Sequence, residues 1–203
     1  MNTKIKSLLR TLGFTRPPPV TTRKELIDFI DSNAAYVSQV TLYTYIKARA
    51  GMQFPKLFDN DDFLTSLRIA RWHIYGAAVC DLTLFSAAQL MRTGLKTDDE
   101  IKQFAHDMIN DIFTSKEQQD IDKIRFLEIG EIGKKRVETA DWADIVDGPN
   151  AFQSSSDAVF KWAPIADELK DNDEEIVRNS IHLRWIGVRR DLKQVIKPEL
   201  ILA

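Results

Sequence analysis

Cysteine is all but absent from this 203-residue sequence: the single thiol, Cys80, rules out any disulfide within the chain and sits in an apolar stretch. Such usage fits a reducing compartment, and the chain reads as cytoplasmic. Glycine and proline are sparse, at 8 and 7, and no run alternates β-branched with polar residues, so strands and hairpins have little to be built from. Missing too are the Gly-x-Ser-x-Gly elbow, the P-loop, the Rossmann glycines, His-Glu-x-x-His and Cys-x-x-Cys. Ala70, Gln103 and Asn179 stand three residues before the histidines, which removes the Glu-x-x-His ligand pair of di-iron bundles. The first residues, Met1 to Phe14, interleave Ile5, Leu8, Leu9 and Leu12 with polar side chains and give no continuous apolar core of a secretory signal.

What is present is helical periodicity. Apolar residues make up 44% and charged residues 29%, a globular composition, and the apolar ones recur at three- and four-residue intervals. The expected fold is all-α: a single-domain multi-helix bundle around a long central apolar helix, with a short N-terminal helix on a proline-rich tether. Residues 1–14 form the amphipathic helix, 15–20 the linker through Pro17, Pro18 and Pro19, and 21–203 the helical domain. Thr22 and Glu25 have capping-box spacing, which opens a helix running to about Arg49 over Leu26, Ile30, Ala34, Val37, Leu42, Tyr45 and Ile46. Asp59 or Asn60 caps a helix over 61–93 that Gly94 ends, and Thr97 with Glu100 boxes the next, whose face is Ile101, Phe104, Ala105, Met108, Ile109, Ile112 and Phe113. A fifth helix is expected after Ser115, with Gln118 at box spacing, packing through Ile121, Ile124 and Leu127 and broken or kinked at Gly130 and Gly133. A turn follows at Asp147–Asn150 and a short helix capped by Ser156. The last helix opens at Asp171 and packs through Val177, Ile181, Trp185, Val188, Leu192 and Val195.

Ile74–Met91 is the most apolar stretch. As a helix its 18 residues would be about 27 Å long, close to a bilayer's hydrocarbon thickness. Asp81 lies near its middle, however, where insertion costs about 2.5–3.5 kcal/mol. The favoured reading is a core helix whose small residues let neighbours approach and whose Asp81 has a buried hydrogen-bond or cationic partner.

Charge is segregated. Residues 97–175 hold 21 acidic and 9 basic side chains, a balance of −12, so with a net charge of −2 the remainder carries +10. A charged partner or an anionic lipid surface is the class such polarity attracts, and nothing favours nucleic acid. The candidate partner-binding residues are Lys4, Lys6 and Arg10 at one end and Arg184, Arg189 and Arg190 at the other. No catalytic residue and no cofactor is expected. The reading is a non-enzymatic helical interaction protein with a protein client, a bacterial assembly or accessory factor, peripheral at the inner membrane. Two alternatives rest on local patterns. His73 with His106-Asp107 resembles the ligand pattern of HD-type metal phosphohydrolases, in which imidazoles and carboxylates would hold a metal that activates water. Thr41–Lys47 resembles the start of the recognition-helix segment in TetR-type transcriptional regulators, but the preceding interval reads as one continuous helix.

Leu42-Tyr43, Ala48-Arg49, Phe54, the acidic loop Asp59–Asp62 and His73 within a long apolar helix form a further set, with Asp122-Lys123-Ile124-Arg125 and, after a gap, Ile129-Gly130-Glu131-Ile132-Gly133-Lys134-Lys135. Together these scattered segments over residues 42–135 resemble the ubiquinol–cytochrome c chaperone family, helical assembly factors for a membrane respiratory complex. The resemblance implies binding of a client protein at the membrane and carries no catalytic residue.

Overall fold

A computed structural model of the chain describes residues 18–115, 123–147, 149–170 and 172–203. The expected N-terminal helix with Lys4, Lys6 and Arg10, the first part of the linker, Gln118, Ile121 and Asp171 lie outside the described residues. Among those described the fold is all-helical, and the sole bridge between extended backbones joins Val20 to Ile196.

Helix α1, Arg23–Ala50, starts where the capping box predicts. The Thr22 hydroxyl accepts from the Glu25 N–H at 3.2 Å, and the Glu25 carboxylate accepts from Thr22 N–H at 3.1 Å and Thr21 N–H at 2.8 Å. These contacts satisfy donors that a helix start leaves without intrahelical partners. The 28 residues run without a break, so Thr41–Lys47 lies inside one helix and does not follow a turn, as a recognition segment must. A 3-10 segment, Gly51–Asp59, absorbs Pro55. Helix α2, Asp61–Met91, is capped by Asn60, whose Oδ1 accepts from Phe63 N–H at 2.9 Å. It ends before Gly94, whose φ of +66° is the left-handed conformation expected of that residue. Helix α3, Asp98–Ser115, buries Ile101, Ala105, Met108, Ile109, Ile112 and Phe113, with Phe104 half-buried beside them.

Helix α4, Lys123–Thr139, corrects the expectation of a break. It continues through Gly130 and Gly133, and its buried face is Phe126, Gly130, Gly133 and Val137, while Ile124 is 68% exposed. The reason is distance. A Cβ on Gly133 would sit 2.3 Å from the Cys80 Sγ, and one on Gly130 3.3 Å from the Phe113 ring, so the glycines are the closest approach between helices rather than breakers. After α5, Trp142–Asp147, and a 3-10 turn at Pro149–Phe152, helix α6 runs Gln153–Trp162. Ser156, expected as its cap, is inside it and buried. A single turn, α7 at Asp167–Lys170, leads to α8, Glu174–Val195, three residues later than expected. Asp173 just before it binds the Arg49 guanidinium and accepts from the Tyr45 hydroxyl at 3.0 Å, tying the start of α8 to the end of α1. The buried face of α8 is the predicted one. The last turn, α9, is Pro198–Ile201.

Helix α2 is the axis: α1, α3, α4 and α6 pack around it, and α8 closes over α1 and α6. It is apolar and long enough to cross a membrane, yet 94% of its apolar window is buried by the other helices. The end of the proline tether is anchored: Val20 N–H donates to Val195 O at 2.9 Å, and Lys197 N–H donates to Val20 O at 2.9 Å.

Candidate functional site

Asp81, on the central helix, is wholly buried. Its carboxylate receives the Arg136 guanidinium of α4 and the Ser155 N–H of α6, the latter at 2.7 Å. Arg136 also donates to Ser154 Oγ at 2.8 Å and to the Asn150 carbonyl. The Trp185 indole N–H of α8 donates to Ser155 Oγ at 3.1 Å, so four helices meet in one polar network. Burial pushes the Asp81 carboxyl up to about 6, against the opposing pull of Arg136 and Ser155. Every partner here is internal, which makes the network a fastener, as the sequence anticipates.

The histidines are dispersed among other tasks. His73 stacks face to face on Trp162, rings 3.6 Å apart and 3° from parallel. Burial first, then the nearby Lys161 and Arg125 charges, hold its imidazole neutral, down to about 4. His106 Nε2 is 3.0 Å from Glu138 and 3.3 Å from the Lys134 carbonyl, and Asp107 accepts from the Gln103 amide at 2.9 Å. The alternative metal set of His73, His106 and Asp107 is therefore not brought together, and among the described residues no three His, Cys, Asp or Glu side chains converge.

The three α8 arginines occupy different positions. Arg184 donates to the Ser180 carbonyl and hydroxyl, each at 2.7 Å. Arg189 lies over the Phe85 ring at 5.5 Å and the Phe152 ring at 6.0 Å, covering the core. Arg190 stands outward with a 68% exposed side chain, 3.1 Å from its neighbour Asp191. Beside it runs a feature the sequence reading passed over. Ile176, Leu183 and Ile186 are 68%, 69% and 56% exposed, on the side of α8 away from Ile181 and Trp185. Ile176, Leu183 and Arg190 follow at seven-residue spacing, about two helical turns, and so share one stripe. Gly187, within that stripe, has nothing within 4 Å of the place a Cβ would take. A second apolar face on the same helix was legible in the sequence once the buried face had been assigned.

A cleft of about 520 Å³ opens between α2, α4 and α6. The buried Ala77, Cys80 and Gly133 line it, together with the His73–Trp162 stack and with Ile129 and Ile132. Arg125, Lys161, Glu128 and Asp157 supply its charges. Asp157 is taken by Arg178 at 2.6 Å, whereas neither Arg125 nor Lys161 meets a carboxylate at ion-pair distance among the described residues. Lys161 Nζ lies 5.3 Å from the Trp162 ring centre. Sequence puts Trp162 and Lys161 on one short helix but not against His73 or Arg125, because those neighbours come from helices far away in the chain.

Comparison of the chain with family models, curated proteins and solved structures finds no match.

Proposed function

We propose that this chain is a non-enzymatic interaction protein that seats an acidic, amphipathic helix of a client protein along the outward face of α8. The observation that supports it is the stripe of Ile176, Leu183 and Ile186, each more than half exposed on one helix. Exposed aliphatic side chains aligned on one face, rather than scattered, are a recurring mark of a binding surface. The open position at Gly187 gives a partner backbone room to approach. Past Leu183 the helix carries four cations and one carboxylate, a positive end that favours an acidic partner and speeds its encounter. Arg190 stands at the edge of the stripe. Resemblance to the ubiquinol–cytochrome c chaperone family makes the client a subunit of a membrane respiratory complex and the protein a bacterial assembly factor. In the same proposal Lys4, Lys6 and Arg10 attract the chain to an anionic membrane surface.

The test places a photoreactive side chain at Leu183, and at Met52, 93% exposed on the 3-10 segment, as control. In the native host, Leu183 should capture one polypeptide that Met52 does not, at a segment mapping to an acidic amphipathic helix. The synthetic peptide of that segment should bind the Leu183→Asp protein at least about tenfold more weakly than the parent, since one buried leucine contributes roughly 1.5–3 kcal/mol. No capture, identical capture from both positions, a basic or non-helical segment, or unchanged peptide affinity would each overturn the proposal.

A further inference from the structure

The cleft between α2, α4 and α6 is separate from the α8 stripe and has the character of a small-molecule site. Its volume of about 520 Å³ falls within the usual range for such pockets, about 300–1,000 Å³. Its surface is mainly apolar, and His73, Arg125, Glu128, Ser154, Asp157 and Lys161 supply the polar groups. Ala77 and Ala158 keep it open by being small, and Ile129 and Ile132 offer aliphatic surface. Arg125 and Lys161 come from different helices, α4 and α6, line the cleft together, and both lie near enough to His73 to disfavour its charged form. Asp157 is held by Arg178, which Glu174 shares, so the charged groups on the lining outside that cluster are Arg125, Lys161 and Glu128.

We propose that this cleft binds an apolar organic acid, a medium-chain fatty acid or a similar monocarboxylate, with its head held by Arg125 and Lys161. The apolar body lies against Ala77, Ile129, Ala158 and the edge of the His73–Trp162 stack. Charge decides the class. Two cations less Glu128 leave one net positive charge, which one carboxylate balances, whereas a phosphoryl group of higher charge would exceed it. His73, neutral across the physiological range, contributes a polar edge without a third positive charge.

Sodium decanoate, kept below its micellar concentration, is the probe, titrated calorimetrically and followed by the fluorescence of Trp162 with Trp162→Phe as the spectroscopic control. Saturable binding at one site per chain is expected. Replacing both cations, Arg125→Gln with Lys161→Gln, should weaken it at least about tenfold, as the loss of a charged hydrogen bond does. Decanol, with the same chain and no charge, should bind more weakly by a similar factor. Ile132→Glu, on an exposed side chain whose replacement spares the core, should weaken decanoate binding and leave the circular dichroism spectrum unchanged. Leu183→Asp should leave decanoate affinity unchanged, so failure of the α8 reading and failure of this one are told apart. Absence of saturable binding, several equivalent sites per chain, equal affinity for decanol, or indifference to the double substitution would each overturn the assignment.

Discussion

The Arg136 guanidinium on α4 meets the Asp81 carboxylate on the central helix α2, and the carboxylate has no exposure to solvent. The Arg136 side chain keeps 22% of its own. The pair is thus asymmetric: Asp81 depends on Arg136 and Ser155, while Arg136 has other acceptors in Ser154 and the Asn150 carbonyl. Asp81→Ala leaves the buried Ser155 N–H and much of a guanidinium without their anion. Breaking a buried pair from one side costs about 3–5 kcal/mol, and urea unfolding of the variant should show a loss of that order. A loss below about 1 kcal/mol would remove the network from the interactions that hold α2, α4 and α6 together.

The same carboxyl makes stability depend on pH with an unusual sign. Burial raises Asp81 from the ordinary 3.8 to about 6, so between these values the folded chain binds more protons here than the unfolded one. Its contribution is then fullest below 3.8 and declines as pH rises through 6. The stability of the parent relative to Asp81→Asn, in which the other titrations cancel, should fall from pH 4 to pH 6 and level off above 7. A difference that rises over that range would mean that Arg136 and Ser155 outweigh burial.

Gly133→Ala tests the closest contact between α2 and α4. The new methyl would come 2.3 Å from Cys80 Sγ and 2.8 Å from its Cβ, so a helix must shift, at a cost of about 1–3 kcal/mol. Combining it with Cys80→Ala relieves the sulfur contact but not the Cβ contact. Part of the loss should return, read as a coupling energy in a double-mutant cycle. Equal stability of Gly133→Ala and the parent would contradict the contact.

His106 lies on the rim of the α3–α4 pairing, its partner Glu138 half exposed at 51%. Exposed pairs of this kind contribute about 0–1 kcal/mol, so His106→Ala should leave the thermal midpoint nearly unchanged. Elemental analysis of the purified parent and variant completes the test. Stoichiometric iron, manganese or zinc that disappears with His106 would replace the binding reading with the phosphohydrolase.

Flotation with anionic vesicles tests the membrane part of the proposal. A short amphipathic segment with Lys4, Lys6 and Arg10 should give weak attachment that fades as salt rises. The Lys4→Glu, Lys6→Glu, Arg10→Glu protein should remain at the bottom of the gradient. Equal flotation of the two proteins would show that these cations do not recruit it to a membrane.

Local chemistry fixed what could be read without the fold. The Thr22–Glu25 and Thr97–Glu100 boxes, the Asn60 cap and the left-handed Gly94 are decided within a few residues of chain, and the structure keeps them where sequence puts them. The buried faces of α1, α3 and α8 follow from apolar residues at three- and four-residue spacing, although α8 carries a second, exposed apolar set as well. Asp81 could be expected to have a partner because the cost of an unpaired buried carboxylate is intrinsic to the group. Which partner it has could not be read, since Arg136 stands 55 residues away and only the packing of α4 on α2 brings it there. For the same reason α4 misled: its isoleucines suggested a face, yet the contact with Cys80 and Phe113 needed the absence of a side chain at Gly133 and Gly130. The cleft is wholly a product of tertiary structure, because His73, Arg125 and Trp162 belong to three helices. Side-chain types are given by sequence, but the distances at which charges and apolar surfaces act are set only when the helices pack.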